Sequence, residues 1–179
     1  QYDGLCHQKA SISCATFWMK ERFSLLAEYQ RDRSLITILQ ERQGRIIALV
    51  NCHLSAGAKP RRRFQQIHAV CEQLRKEKNK WNIDLFLLAG DFNERPAHTA
   101  VWQLLVEGEI EADFREESYP EMPITSRYKE QRLGQFIDCY EHNRADTMWV
   151  RNLGQIIFDG DRWRDSFLTA LEELFWRFS

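Results

Sequence analysis

Three observations in the sequence predict an α+β domain. A continuous apolar run, Ile83, Leu85, Phe86, Leu87 and Leu88, is closed by Ala89-Gly90-Asp91-Phe92-Asn93-Glu94-Arg95-Pro96, and a short apolar run bounded by Gly and Pro reads as a strand buried on both faces. Upstream, the runs around Leu35 to Leu39 and Ile46 to Val50 are split by Gln43-Gly44, the pattern of an antiparallel hairpin. Between hairpin and apolar run, Phe64, Ile67, Val70, Cys71 and Leu74 recur at helical spacing, so Pro60 to Asn79 reads as an amphipathic helix. Strand, helix, strand of this length is a crossover unit and calls for one parallel pairing.

The bulk properties set bounds. With 179 residues, 44% of them hydrophobic, the chain fits one domain with a sizeable core. A net charge of -1 and a pI of 6.6 give no global basic field, so any polyanion binding must come from a local patch. The five cysteines (Cys6, Cys14, Cys52, Cys71, Cys139) are odd in number and contain no Cys-x-x-Cys pair. Neither a disulfide framework nor a structural zinc site is indicated, which favours a reducing compartment. The expected location is therefore intracellular, the cytoplasm ahead of the nucleus or an organelle. No segment has the length or apolarity of a membrane span, no membrane partner is expected, and no signal peptide is visible. Gln1 is not read as a natural start, and a targeting segment before it stays open.

Taken in order, Gln1 to Lys20 reads as two short strands around a polar turn at Lys9 to Ser13, with Cys14-Ala15-Thr16-Phe17-Trp18 as a core strand. Phe23 to Tyr29 is a third strand. The second hairpin strand ends in Asn51-Cys52-His53-Leu54, and Pro60 suits the first turn of the helix that follows. Thr99 can cap a helix through Glu107, with Gly108 as its stop. Glu109 to Arg132 is polar and irregular, a long loop of the kind that is usually functional or mobile. Phe136-Ile137-Asp138-Cys139-Tyr140 is a short apolar element. In the tail, Phe167, Leu168, Leu171, Leu174, Phe175 and Phe178 form a helical stripe that must bury against something. The helix 166–179 is thus a candidate surface for a protein partner.

Ligand sites in α/β sheets gather just beyond the carboxyl ends of parallel strands, which is where Asp91 and Asn93 stand. Two apart on an extended chain, they can present a carboxylate and an amide to one ligand while Phe92 points into the core. That pairing suits a phosphoryl group with a hard cation, Asp91 and Asn93 being the candidate metal ligands. The alternative is that they cap the turn into the next helix. His53 could hydrogen-bond a phosphate oxygen or polarise a scissile group, or be a satisfied structural histidine. Asn51 lies two residues before it.

Lys59, Arg61, Arg62 and Arg63 crowd a helix N-terminus, where cations oppose the helix dipole. A phosphate beside Arg61, Arg62 and Arg63 would compensate that cost, against the alternative of a solvated face. Asp159 to Asp165 fails as a calcium loop, since Arg164 and Ala170 stand where Gly and Glu are required. A turn before the last helix is the better reading.

These stretches together resemble the exonuclease-endonuclease-phosphatase superfamily, which has the deoxyribonuclease-I-like fold. Within it they resemble the branch of mRNA deadenylases, nocturnin and Angel-type proteins. The matching pieces are Tyr2-Asp3-Gly4 with Lys9, Ser13 to Trp18 with Arg22-Phe23, Asn51 to Leu54, Arg63 and Gln66, Gly90 to Asn93 with Pro96 and Gly108, and Phe136 to Tyr140. The resemblance implies two packed mixed β-sheets flanked by helices, here as a partial domain. It also implies magnesium-dependent hydrolysis of phosphoester bonds, with an adenylate-rich RNA tail as the expected substrate. By matching position, Asp91 would orient water and help hold metal, Asn93 would bind phosphate or metal, and His53 would stabilise the transition-state oxyanion.

Two of that family's motifs have no match. A Gln-Glu pair is expected before Gln1 and a Ser-Asp-His motif after Thr147. The expectation is therefore a fragment or degenerate copy, residues 1–148 being the partial domain and 149–179 an unmatched tail, with negligible hydrolase activity by itself. Ser55-Ala56-Gly57 stands where nocturnin-like relatives present dinucleotide-binding side chains. A non-catalytic domain binding RNA or protein, and a small-molecule phosphatase on the same fold, are the competing readings. The sequence does not set the oligomeric state.

Overall fold

A computed structural model describes residues 1–8, 14–93, 99–111, 113–117, 119–124, 136–138 and 157–159. β1 (Tyr2–Cys6) and β2 (Ala15–Met19) pair antiparallel as a two-stranded sheet. β3 (Phe23–Arg31), β4 (Ser34–Glu41) and β5 (Ile46–His53) form an antiparallel meander joined by tight turns. Helix α1 (Pro60–Trp81) then carries the chain back to β6 (Leu85–Asp91), which pairs parallel with β5. β7 (Phe136–Asp138) and β8 (Ile157–Asp159) complete a six-stranded sheet of order β3-β4-β5-β6-β8-β7.

Burial follows the pleat. Ile36, Ile38, Ala48, Val50, Cys52, Phe86 and Leu88 share one cluster with Phe64, Ile67, Val70, Cys71 and Leu74 of α1. The apolar stripe of the helix therefore covers one face of the large sheet. The alternate residues Leu35, Thr37 and Leu39 are also buried, so β4 is covered on both faces, and its other neighbour is β2. Trp18, Thr16 and Cys14 are the buried side chains at that second interface. The result is an α+β sandwich, as the sequence predicts. The larger sheet is mixed, because α1 crosses over between β5 and β6 and makes that pair parallel; the two described strands of the smaller sheet are antiparallel.

α1 ends at Asn82, a left-handed residue whose N–H reaches the Lys78 carbonyl. Asp84 then docks the returning chain on β5, its carboxylate accepting from Ile46 N at 2.7 Å and its own N–H donating to the Ile46 carbonyl at 2.9 Å. These bonds keep Ile83 out of the ladder, so β6 starts two residues later than the apolar run suggests and extends through Asp91.

The helix expected over 99–107 is present in two parts. Thr99 caps α2 (Ala100–Trp102) by accepting from Trp102 N, and Gln103–Glu107 continues as a π-helical turn closed by left-handed Gly108. From the stretch expected to be a long loop, Glu116 and Ile124 are buried, and Ile124 N bonds the Phe114 carbonyl at 2.8 Å. β8 falls in the segment read as an unmatched tail, yet it pairs antiparallel with both β6 and β7. The turn at 9–13, the helix 166–179 and its cap lie outside the described residues.

Candidate active site

The site begins with how closely two strands approach. Gly90 has φ 137°, and a Cβ there would sit 1.9 Å from the Cys52 carbonyl oxygen. Only glycine lets β6 run this close to β5 at its last step. The parallel register then places His53 opposite Asp91, and Leu54 N donates to the Asp91 carbonyl at 2.8 Å. As a consequence His53 Nε2 lies 3.6 Å from Asp91 Oδ2, the imidazole 31% and the carboxylate 60% exposed. By alternation both side chains leave the face opposite α1, at the carboxyl ends of the two parallel strands.

Asn93 does not continue the strand. It is left-handed, at φ 51°, and its N–H donates to Asp91 Oδ1 at 2.8 Å while its side-chain amide donates to the Leu54 carbonyl at 2.8 Å. The two residues therefore build a local turn, while the cap of the next helix is Thr99, and Phe92 between them is buried in the core as expected. Asp91 nonetheless keeps its second oxygen toward His53. Asn93 uses its backbone N–H and one amide N–H in these bonds, and its amide oxygen is the group able to accept or ligate.

The other candidates separate. Asn51 is half-buried, with its amide donating to the Ala15 carbonyl at 2.7 Å, so it ties β5 to β2. Arg62 pairs with Asp32 at 2.7 Å, and Arg61 is exposed. Arg63 is 1% exposed and donates to the Ser55 and Gly57 carbonyls, with Glu116 at 3.4 Å. Its guanidinium is thus spent inside the fold rather than offered to a ligand. Gln66 holds the same loop, accepting from Ser55 N and donating to the Ser55 hydroxyl. Glu116, for which the sequence carries no local signal, also accepts from Ala100 N at 3.2 Å, so one buried carboxylate links the loop after His53 to the start of α2.

The family that the sequence resembles implies a divalent cation. Among the described residues no three His, Cys, Asp or Glu side chains converge, so they make no all-protein cage. The half-exposed Asp91 carboxylate does fit a hard, hydrated cation that takes one carboxylate and otherwise water and substrate phosphates. Asp91 is the residue that would hold such an ion, with the Asn93 amide oxygen beside it. A cation there would supply charge stabilisation for a reacting phosphoryl group. A groove of about 440 Å³ lined by Asp3, Trp18, Lys20 and Phe23 lies at the far end of β3 from this site.

The architecture defines a class of fold: the chain has the deoxyribonuclease-I-like fold. Its structural resemblance is to ANGEL2, a 2′,3′-cyclic phosphatase, with a TM-score of 0.68 at 15% identity over 89% of this chain and 62% of that one. The human Nocturnin catalytic domain, solved with a bound sulfate anion, matches with a TM-score of 0.60 at 18% identity over 88% and 60%. A humanized D. rerio TDP2 matches with a TM-score of 0.54 at 14% identity over 90% and 59%. The chain thus spans about three-fifths of the length of these structures. Neither the family models nor the curated protein sequences compared with the chain match it.

Proposed function

We propose that this chain carries part of the active site of a magnesium-dependent phosphodiester hydrolase acting on RNA, in the manner of a 3′-5′ exoribonuclease on an adenylate-rich tail. The observation that carries the reading is the His53–Asp91 pair, 3.6 Å apart and open to solvent at the carboxyl ends of two parallel strands. In this assignment Asp91 aligns the attacking water and accepts its proton, and His53 donates to the oxygen on which charge develops. Asn93 fixes the Asp91 carboxylate through its N–H and tethers the Leu54 carbonyl, which keeps the two strand ends in register.

One carboxylate is a sparse metal site, so turnover by the chain alone is residual. The test is run with protein in excess over a 5′-labelled RNA ending in adenylates, with magnesium and with chelator, and again with a cytidylate-ended RNA. Slow, chelator-sensitive shortening from the 3′ end, faster on the adenylate tail, is expected. Equal product with and without chelator overturns the hydrolase assignment.

A non-catalytic RNA-binding domain is the second reading. It draws on the Asp91–Asn93 turn, in which both residues already have structural partners. RNA binding that persists with metal chelated away and no shortening would favour it.

A further inference from the structure

Arg33 stands at the tip of the β3–β4 hairpin, one step beyond the Ser34–Cys52 register pair and hence across from His53. It is a left-handed residue, φ 57°, fixed from both sides: its carbonyl accepts from His53 N at 3.0 Å and its guanidinium contacts the His53 carbonyl at 3.5 Å. Across three adjacent strand ends, a guanidinium, an imidazole and a carboxylate therefore follow one another, in the order Arg33, His53, Asp91.

Within the described residues the charge of Arg33 meets no carboxylate. Its sequence neighbour Asp32 is occupied instead by Arg62 at 2.7 Å and by the Gln66 amide at 2.8 Å. Among the described residues Arg33 has no carboxylate within 4.0 Å, unlike Arg22, Arg45, Arg62, Arg63 and Arg75; Arg31 and Arg42 lack one too, but Arg31 donates to Gln73 and Arg42 is exposed away from the site. Its field reaches the neighbouring buried Cys14, where it acts against the rise that burial imposes on the thiol. A partly buried guanidinium without a carboxylate, beside an imidazole, presents the planar donor fork that phosphate oxygens accept.

We propose that Arg33 is a phosphate-binding residue of this site, holding one phosphate of an RNA backbone beside the His53–Asp91 pair. The assignment rests on the reading of the site given above. It names a positioning cation that lies outside the basic cluster at the start of α1.

The probe is a fluorescent twelve-nucleotide oligoadenylate, and binding to the purified chain is followed by anisotropy across a salt series without metal. Arg33→Met is expected to weaken binding about tenfold and to make the log K against log salt slope shallower by about 0.7, one single-strand phosphate contact. Arg33→Lys should recover part of the affinity, since the charge remains and the fork is lost. Arg42→Met, which removes an exposed cation at the other end of the hairpin, should change affinity less than twofold. Thermal melts of each variant separate loss of contact from loss of fold.

If the wild type binds and Arg33→Met binds equally well with the same slope, the Arg33 assignment is overturned and the His53–Asp91 reading stands. If the wild type shows no binding, the Arg33 assignment is overturned, and chelator-sensitive shortening decides the His53–Asp91 reading separately. A drop shared equally by Arg42→Met would make the effect one of net charge and would also overturn the assignment.

Discussion

His53 and Asp91 lie 3.6 Å apart because their backbones are register partners, the last residues of β5 and β6. The pair is a product of topology more than of side-chain attraction. Both groups are substantially exposed, and an ion pair of that kind contributes little to stability. What holds it is the backbone beneath, namely Gly90 against Cys52, Leu54 N on the Asp91 carbonyl, and the Asn93 amide on Leu54.

Gly90 should accordingly be among the most sensitive positions in the chain. Gly90→Ala places a methyl where the Cys52 carbonyl oxygen already stands and forces a side chain into φ 137°. A loss of about 3 kcal/mol in urea unfolding is expected, at the upper end of the range for a strained backbone position. A loss below about 1 kcal/mol would mean that the two strand ends separate easily.

Arg63 and Glu116 should behave as a coupled pair. Both side chains are 2% exposed, and each also bonds backbone, Arg63 in the Ser55 loop and Glu116 at Ala100. Removing either alone leaves a buried charge, so Arg63→Met and Glu116→Leu should each cost about 3–5 kcal/mol. The double variant should cost clearly less than the sum, and a double-mutant cycle by chemical denaturation measures the coupling. Additive losses would show that the two groups act independently.

The cysteines should sort by burial. Burial pushes the Cys71 thiol up to about 12 and also raises Cys52, where neighbouring Cys14 and Asp91 push in the same direction. A raised thiol stays neutral as pH climbs through 7 to 9, and the neutral form is not the nucleophile. Iodoacetamide at pH 8 should therefore label exposed Cys6 and leave Cys52 and Cys71 about a thousandfold slower until denaturant is added, as read by peptide mass spectrometry. Rapid native labelling of Cys52 would contradict the packing beneath the site.

The legible parts of this fold were those with a periodic signal. The hairpin at Gln43-Gly44, the stripe from Phe64 to Leu74 and the apolar run into Asp91 each predict their element, and their order predicts the parallel pairing that brings His53 to Asp91. Local turn chemistry was harder to read. Nothing in Asp91-Phe92-Asn93 distinguishes an extended pair from a turn, because Asn tolerates left-handed backbone and its side chain can bond nearby main chain. The run Lys59 to Arg63 read as uniform charge, while the helical turn sends Arg63 inward and leaves Arg61 outward. Arg33 carried no signal, since its nearness to His53 exists only once β4 and β5 are in register. Glu116, one acid in a polar stretch, had none either.

The most direct measurement of the central claim is the single-turnover rate of 3′ shortening of an adenylate-ended RNA by the wild-type chain and by Asp91→Asn, with magnesium present and melting temperatures recorded. The exposed position of Asp91 predicts a variant that melts within about 2 °C of wild type. Its role as water-aligning carboxylate predicts a rate at least about 100-fold lower. Equal rates in the two proteins, at equal stability, would contradict the placement of catalysis at the His53–Asp91 pair.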